Sequence, residues 1–168
     1  MINMDNARRN NLFFIELILS IFFFILCAAV CTQLFVSAHL QNEKTEDTNQ
    51  AILLSQNVAE LFLGNQGNME TLKKSFSDFD VSAKYVDASA KNTLLLLYNK
   101  ETASFVQDSS EATYCVLLEQ HATHTMSYAD IFILKINDLE YALADKQLRK
   151  DLAIRQLSVK KYLGNIQK

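Results

Sequence analysis

The 168-residue sequence contains no proline, where about 5% would be usual, and only three glycines, where about 7% would be usual. Gly64 is the first of these glycines, so nothing before it forces a helix to stop. Three glycines cannot supply the known phosphate-cradling loops, and no G-x-S-x-G nucleophile turn occurs. The cysteine count is also three, an odd number, which excludes a disulfide scaffold. A basic excess is lacking: 16 Lys and Arg stand against 19 Asp and Glu, for a net charge of −3. A nucleic-acid partner is therefore not expected. There is no Pro- or Gly-rich linker, no fixed-period repeat and no low-complexity tract. With 49% hydrophobic and 21% charged residues, wholesale disorder is excluded. The length allows one domain, or one domain plus an anchor.

The hydrophobic residues are unevenly placed. From Leu12 to Val36, only Glu16, Ser20, Thr32 and Gln33 are polar, and Ile21 to Leu26 is unbroken Phe, Ile and Leu. At about 1.5 Å per residue this helix would be about 37 Å long, enough to cross a bilayer core of about 30 Å. Aromatic and β-branched residues form helices poorly in water, but in lipid the backbone must satisfy itself and a helix does so. Arg8 and Arg9 precede the run, and no Lys or Arg follows until Lys44. The positive-inside rule then places the N-terminus in the cytoplasm and the remainder outside. A signal peptide cut after Val36-Ser37-Ala38, releasing a chain from His39, is the competing reading. Its apolar core would be longer than the usual 7–15 residues and would contain an acid. Cys27 and Cys31, four apart, share one helix face and read as small packing residues, with acylation or a dimer contact as alternatives.

Glu16 is the anomalous residue of this segment. A carboxylate at the centre of a membrane helix costs roughly 2.5–3.5 kcal/mol and marks function by default. The bland alternative sets it at the headgroup level near Arg8 or Arg9. The string Leu12-Phe13-Phe14-Ile15-Glu16-Leu17, followed by the apolar run, resembles the start of type IV pilins and pseudopilins. In that family a short basic leader ends in Gly, and the mature chain begins with an apolar residue, with Glu fifth and Leu sixth. The resemblance implies a leader through Asn11 and a mature chain from Leu12, making Asn11 and Leu12 the candidate processing site. Here Asn11 stands in place of the Gly, and Leu12 in place of the usual Phe, so cutting by a prepilin peptidase and an uncut chain both stay open. The resemblance further implies that Glu16 is the subunit-assembly contact, pairing with the N-terminal amine of a neighbouring subunit. The implied partners are other pilin-like subunits, a membrane assembly platform and the lipid bilayer. Tight-adherence pilins, which also carry an acid in a single N-terminal helix, belong to the same resemblance. It implies a subunit of a bacterial type IV filament or a type II secretion-like apparatus. The alternative is a single-pass membrane protein whose extracytoplasmic domain binds a partner unrelated to filaments.

Beyond the anchor, His39 to Gln50 is polar without a breaker, although Asn42, Thr45, Asp47, Thr48 and Asn49 are weak helix formers. Ala51, Leu54, Val58, Leu61 and Phe62 then describe one helical face, and Gly64-Asn65 offers a C-cap. Asn68 could cap a short helix that presents Met69, Leu72 and Phe76 on one side. Short strands are expected at Val81–Tyr85, Thr93–Tyr98, Ala112–Gln120, Ser127–Ile136 and Ile154–Leu163, with a turn at Asn99-Lys100-Glu101. Leu139–Lys150 suits a helix or a hairpin. The expected class is α+β: a long N-terminal transmembrane helix continuing into a small extracellular domain, with an antiparallel sheet of about four strands in a simple meander. Its expected segments are a leader 1–11, a transmembrane helix 12–36, an amphipathic continuation 37–65 and a domain 66–168.

Sequence signs of chemistry are sparse, and neither an enzyme nor a cofactor is expected. His121 and His124 with Cys115 hint at a metal, but residues three apart on a strand face opposite ways and no fourth ligand is evident. Asp78, Asp80 and Asp87 lack the glycine and terminal Glu of a calcium loop. Arg149-Lys150 and Lys160-Lys161 read as exposed basic pairs.

Overall fold

The computed structural model describes residues 3–86, 92–123 and 125–163. Two compact units are present, Met1–Glu46 and Asp47–Lys168. Helix α1 (Asn3–Gly64) supplies the first unit and the opening turns of the second. It continues through the weak formers of 39–50, where Thr45 Oγ1 donates to Gln41 O at 2.8 Å and His39 stands 3.6 Å from Glu43 one turn on.

α1 ends at Gly64, where the Gly64-Asn65 cap is expected, although Gly64 is not itself the left-handed residue. Gly64 is still helical, and the left-handed residues are Gln66 (φ 58°) and Gly67 (φ 70°). Gly67 N–H donates to Phe62 O at 2.9 Å and Gln66 N–H to Leu63 O at 3.1 Å, the paired bonds of a Schellman cap. Gly67 also meets a spatial demand: a Cβ there would lie 2.9 Å from Ser127 Cβ. Its carbonyl accepts from Gln120 Nε2 at 2.6 Å and Ser127 Oγ at 2.9 Å, which ties the turn to the sheet. Helix α2 (Met69–Ser75) follows, with Asn68 Oδ1 accepting from Glu70 N and Thr71 N as its N-cap.

The segment expected as a first strand, Val81–Tyr85, is instead helical: α3 spans Ser82–Tyr85. Asp80 explains the difference. Its carboxylate accepts from the backbone N–H of Ser82 at 2.9 Å and from the Ser82 hydroxyl, turning the chain. The Ser82 hydroxyl in turn accepts from Leu95 N–H at 2.8 Å and fastens this turn to the sheet.

The sheet has five antiparallel strands: β1 (Thr93–Asn99), β2 (Ser104–Val106), β3 (Tyr114–Ala122), β4 (Met126–Lys135) and β5 (Arg155–Tyr162). Their order, β2-β1-β3-β4-β5, departs from a simple meander. β1 and β2 form a hairpin turned by Asn99, whose Oδ1 accepts from Glu101 N and Thr102 N, and β3 then crosses to the other side of β1. β2 gave little sequence signal because it is three residues long. Leu139–Lys150 resolves as helix: α4 (Leu139–Ala144), introduced by one 3-10 turn, and α5 (Lys146–Leu152), capped by Asp145 accepting from Gln147 N at 2.7 Å.

The sheet is covered on both faces. One cluster joins Ala51, Leu54, Val58 and Phe62 of α1 and Met69, Leu72 and Phe76 to Leu94, Leu96, Val116, Leu118, Ile131 and Ile133. The other joins Leu95, Leu97, Cys115, Leu117, Phe132 and Leu134 to Val81, Leu139 and Ala142. This explains why Leu94–Leu97 is all leucine: successive residues point to opposite faces, and both faces are dry. Along β5, by contrast, half-buried and exposed residues alternate strictly.

A polar clasp joins α1 to the sheet inside the second unit. Lys135 Nζ lies 2.7 Å from Asp47 Oδ2, and Tyr114 OH donates to Asp47 Oδ1 at 2.6 Å. Burial works against the Asp47 carboxylate. The hydrogen bonds from Lys135 and Tyr114, with the charges of Lys135 and Lys100, outweigh it and hold its pKa below the usual value. A folded-state pKa below the unfolded one means stability that is present above the ordinary carboxylate pKa and is lost as pH falls through the depressed one. Acid unfolding of the full chain should therefore begin below about pH 4. Lys135→Met should shift the onset to higher pH; an unchanged onset in a circular-dichroism titration would show that the clasp does not hold the fold. Gly67→Ala should lower unfolding free energy by about 2 kcal/mol, the order of a left-handed non-glycine residue plus the Ser127 clash. Denaturant unfolding in detergent measures it.

Candidate assembly helix

The described side chains from Phe13 to Val36 are all exposed, with Phe24 at 74% and Phe35 at 79%. A continuous apolar surface of this extent is far larger than monomeric soluble proteins display, and it needs lipid or another protein as its solvent. The helix is long and apolar enough to cross a membrane. Its polar residues are handled in two ways. Ser20 Oγ donates to Glu16 O and Thr32 Oγ1 donates to Ala28 O, both at 2.9 Å, so each hydroxyl is satisfied within its own helix turn. The Glu16 carboxylate is different: like the Gln33 amide, it has no hydrogen-bond or ion-pair partner among the described residues, and it alone carries a charge. An acceptor-only group with this much charge cannot be satisfied by helix carbonyls. Asn11 and Leu12 have helical backbone within α1; their side chains lie outside the described residues, as do those of Arg8 and Arg9. Cys27 and Cys31 are exposed on the same helix.

The other sequence candidates separate in space. Cys115 is buried in β3, inside the cluster with Leu97 and Leu134, and its Sγ sits 3.8 Å from Leu134 O. Burial, reinforced by the charge of Asp138, pushes its thiol pKa to about 12. His121 is six residues along the same strand, roughly 20 Å away at strand rise, and its Nε2 stands 3.9 Å from Asp130. His124 and Asp87 lie outside the described residues. No group of three metal-ligating side chains occurs among those described. Asp80 serves the α3 turn, and Asp78 carboxylate oxygen accepts from the Ser77 hydroxyl at 3.3 Å.

Of the basic pairs, one reading is corrected. Lys150 is exposed, but Arg149 is 5% exposed. Its Nε donates to Ala142 O at 2.8 Å, its Nη1 meets Glu119 Oε1 at 2.5 Å, and its guanidinium lies 5.7 Å from the centre of the Phe132 ring. It pins α4 and α5 to the sheet, a role hidden in the sequence because Glu119 is 30 residues away. Lys160 and Lys161 lie on β5, Lys160 exposed and 5.5 Å from the Tyr128 ring centre, Lys161 half-buried.

No family model matches the sequence, and neither a curated protein nor a solved structure is found similar to it.

The cysteines give a direct test of this map. In detergent at pH 8, Cys115 should stay unmodified by maleimide until the domain unfolds, because burial holds it as the thiol. Labelling of Cys115 in the folded protein at the rate seen after denaturation, read by peptide mass spectrometry, would contradict its placement.

Proposed function

We propose that this chain is a pilin-like or pseudopilin-like subunit of a bacterial type IV filament or type II secretion-like apparatus. α1 anchors it in the cytoplasmic membrane through residues 12–36, with the N-terminus inside and the unit from Asp47 outside. The observation that carries the reading is Glu16: a carboxylate without a described partner, in an exposed apolar helix whose Ser20 and Thr32 hydroxyls are satisfied internally. Such a group gains most from an ammonium supplied by another subunit, which offsets the cost of holding its charge in hydrocarbon. The pairing would also fix the axial stagger between neighbouring helices. The apolar surface suits this role because lipid is about as apolar as a neighbouring leucine, so leaving the bilayer for a helix bundle costs little. The Glu16 pair then discriminates between neighbours, and the outer domain determines what the assembly touches. The basic residues Arg8 and Arg9 support the orientation.

The partners on this reading are other pilin-like subunits and a membrane assembly platform. Glu16→Ala and Glu16→Gln should each reduce co-purification with neighbouring pilin-like subunits from the native host about 100-fold or more, the scale of losing one member of a buried ion pair. Resistance of the chain to alkaline extraction from membranes should not change. Undiminished co-purification would contradict the assembly role and favour a single-pass protein whose external domain binds its partner alone.

A further inference from the structure

Among the described residues, β5 is the last strand of the sheet and pairs only with β4, through Met126↔Tyr162 to Ile133↔Arg155. It has eight residues and no proline. Leu163 N–H donates to Thr125 O at 2.9 Å, directed at the β4 side. Antiparallel alternation then turns the backbone N–H and C=O groups of Gln156, Ser158, Lys160 and Tyr162 toward the open edge. The side chains of these four residues are exposed, and the cluster that covers β1, β3 and β4 on that face includes no residue of β5. The other sheet edge, β2, has only three residues.

The edge also carries a charge signature. Arg155, Lys160 and Lys161 place three cations in eight residues, with no acid among them. The neighbouring carboxylate, Asp130, accepts from Ser158 Oγ at 2.5 Å and faces His121. The Arg155 Nε is buried and has no hydrogen-bond acceptor among the described residues. Two copies of β5 pairing edge to edge would gather six cations in one ladder, which like-charge repulsion opposes. An extended segment rich in Asp and Glu would meet the same edge with attraction and complete its backbone hydrogen bonds.

We infer that the open edge of β5 receives an extended acidic segment of a partner protein as a sixth strand. The inference is independent of the role assigned to Glu16, and its test does not require an assembled filament. The probe is a fluorescent octapeptide of alternating glutamate and valine, titrated into the full chain in nonionic detergent and read by anisotropy. Alternating lysine–valine and an alternately N-methylated glutamate–valine peptide are the controls. Saturable binding is expected, about tenfold weaker for each control. Hydrogen exchange should slow at the amides of Gln156, Ser158, Lys160 and Tyr162 when the peptide is bound. The double substitution Gln156→Glu and Lys160→Glu changes two exposed side chains, takes the strand from three net positive charges to none, and should abolish the preference for the glutamate peptide. Equal affinity for both charges, insensitivity to N-methylation, or unchanged exchange at those four amides would each overturn the inference.

Discussion

The last turns of α1 lay Ala51, Leu54, Val58 and Phe62 over one face of the sheet and, with Met69, Leu72 and Phe76, keep Leu94, Leu96, Val116, Leu118, Ile131 and Ile133 out of water. Each such side chain represents about 1.5–3 kcal/mol of burial. The opposite face is closed by α3, α4 and α5, whose short lengths give them little stability of their own. They are therefore fixed by specific polar contacts: Ser82 to Leu95 N–H, and Arg149 to Ala142 O and Glu119. The Asp47–Lys135–Tyr114 clasp and the Gly67 cradle do the same for α1. Apolar area closes the domain, and a few long-range polar pairs decide which closure is reached.

That division explains what the sequence reveals. The 51–62 stripe is legible because helical periodicity is local, and β3 and β4 are legible because their apolar runs are long and bounded. Asn68 is legible as a cap because its partners are two and three residues ahead. The turn at Asp80 is not: Val81 and Tyr85 have strand composition, and the carboxylate that bends the chain looks like an ordinary surface acid. β2 is invisible at three residues, yet Phe105 completes an aromatic group with Phe76 and Tyr98. Arg149 is misleading because a basic pair is usually solvated, and only the fold brings Glu119 and Phe132 to it. The Gly64-Asn65 cap is legible because α1 does end at Gly64, but the left-handed residues that close it are Gln66 and Gly67, and Ser127 demands the glycine at position 67.

The candidate site rests on the sequence more than on tertiary structure. Glu16 stands out from composition alone, since a carboxylate in an apolar run of this length conflicts with every neighbour. What the fold adds is contrast: Ser20 and Thr32 find acceptors one turn back, whereas the carboxylate finds no donor among the described residues. On the proposed reading, the same helix is compatible with lipid and with a bundle, and one charge marks the neighbour it accepts. The clasp at Asp47 belongs to a different regime, partly hydrated and already paired.

The most direct measurement is the intact mass of the chain recovered from membranes of its native host. The account predicts a species that retains Phe13 to Val36, with a mass that begins at Leu12 if the leader is processed and at Met1 if it is not. A chain beginning at His39, recovered outside the membrane fraction, would remove both the anchor and Glu16 and would contradict the account.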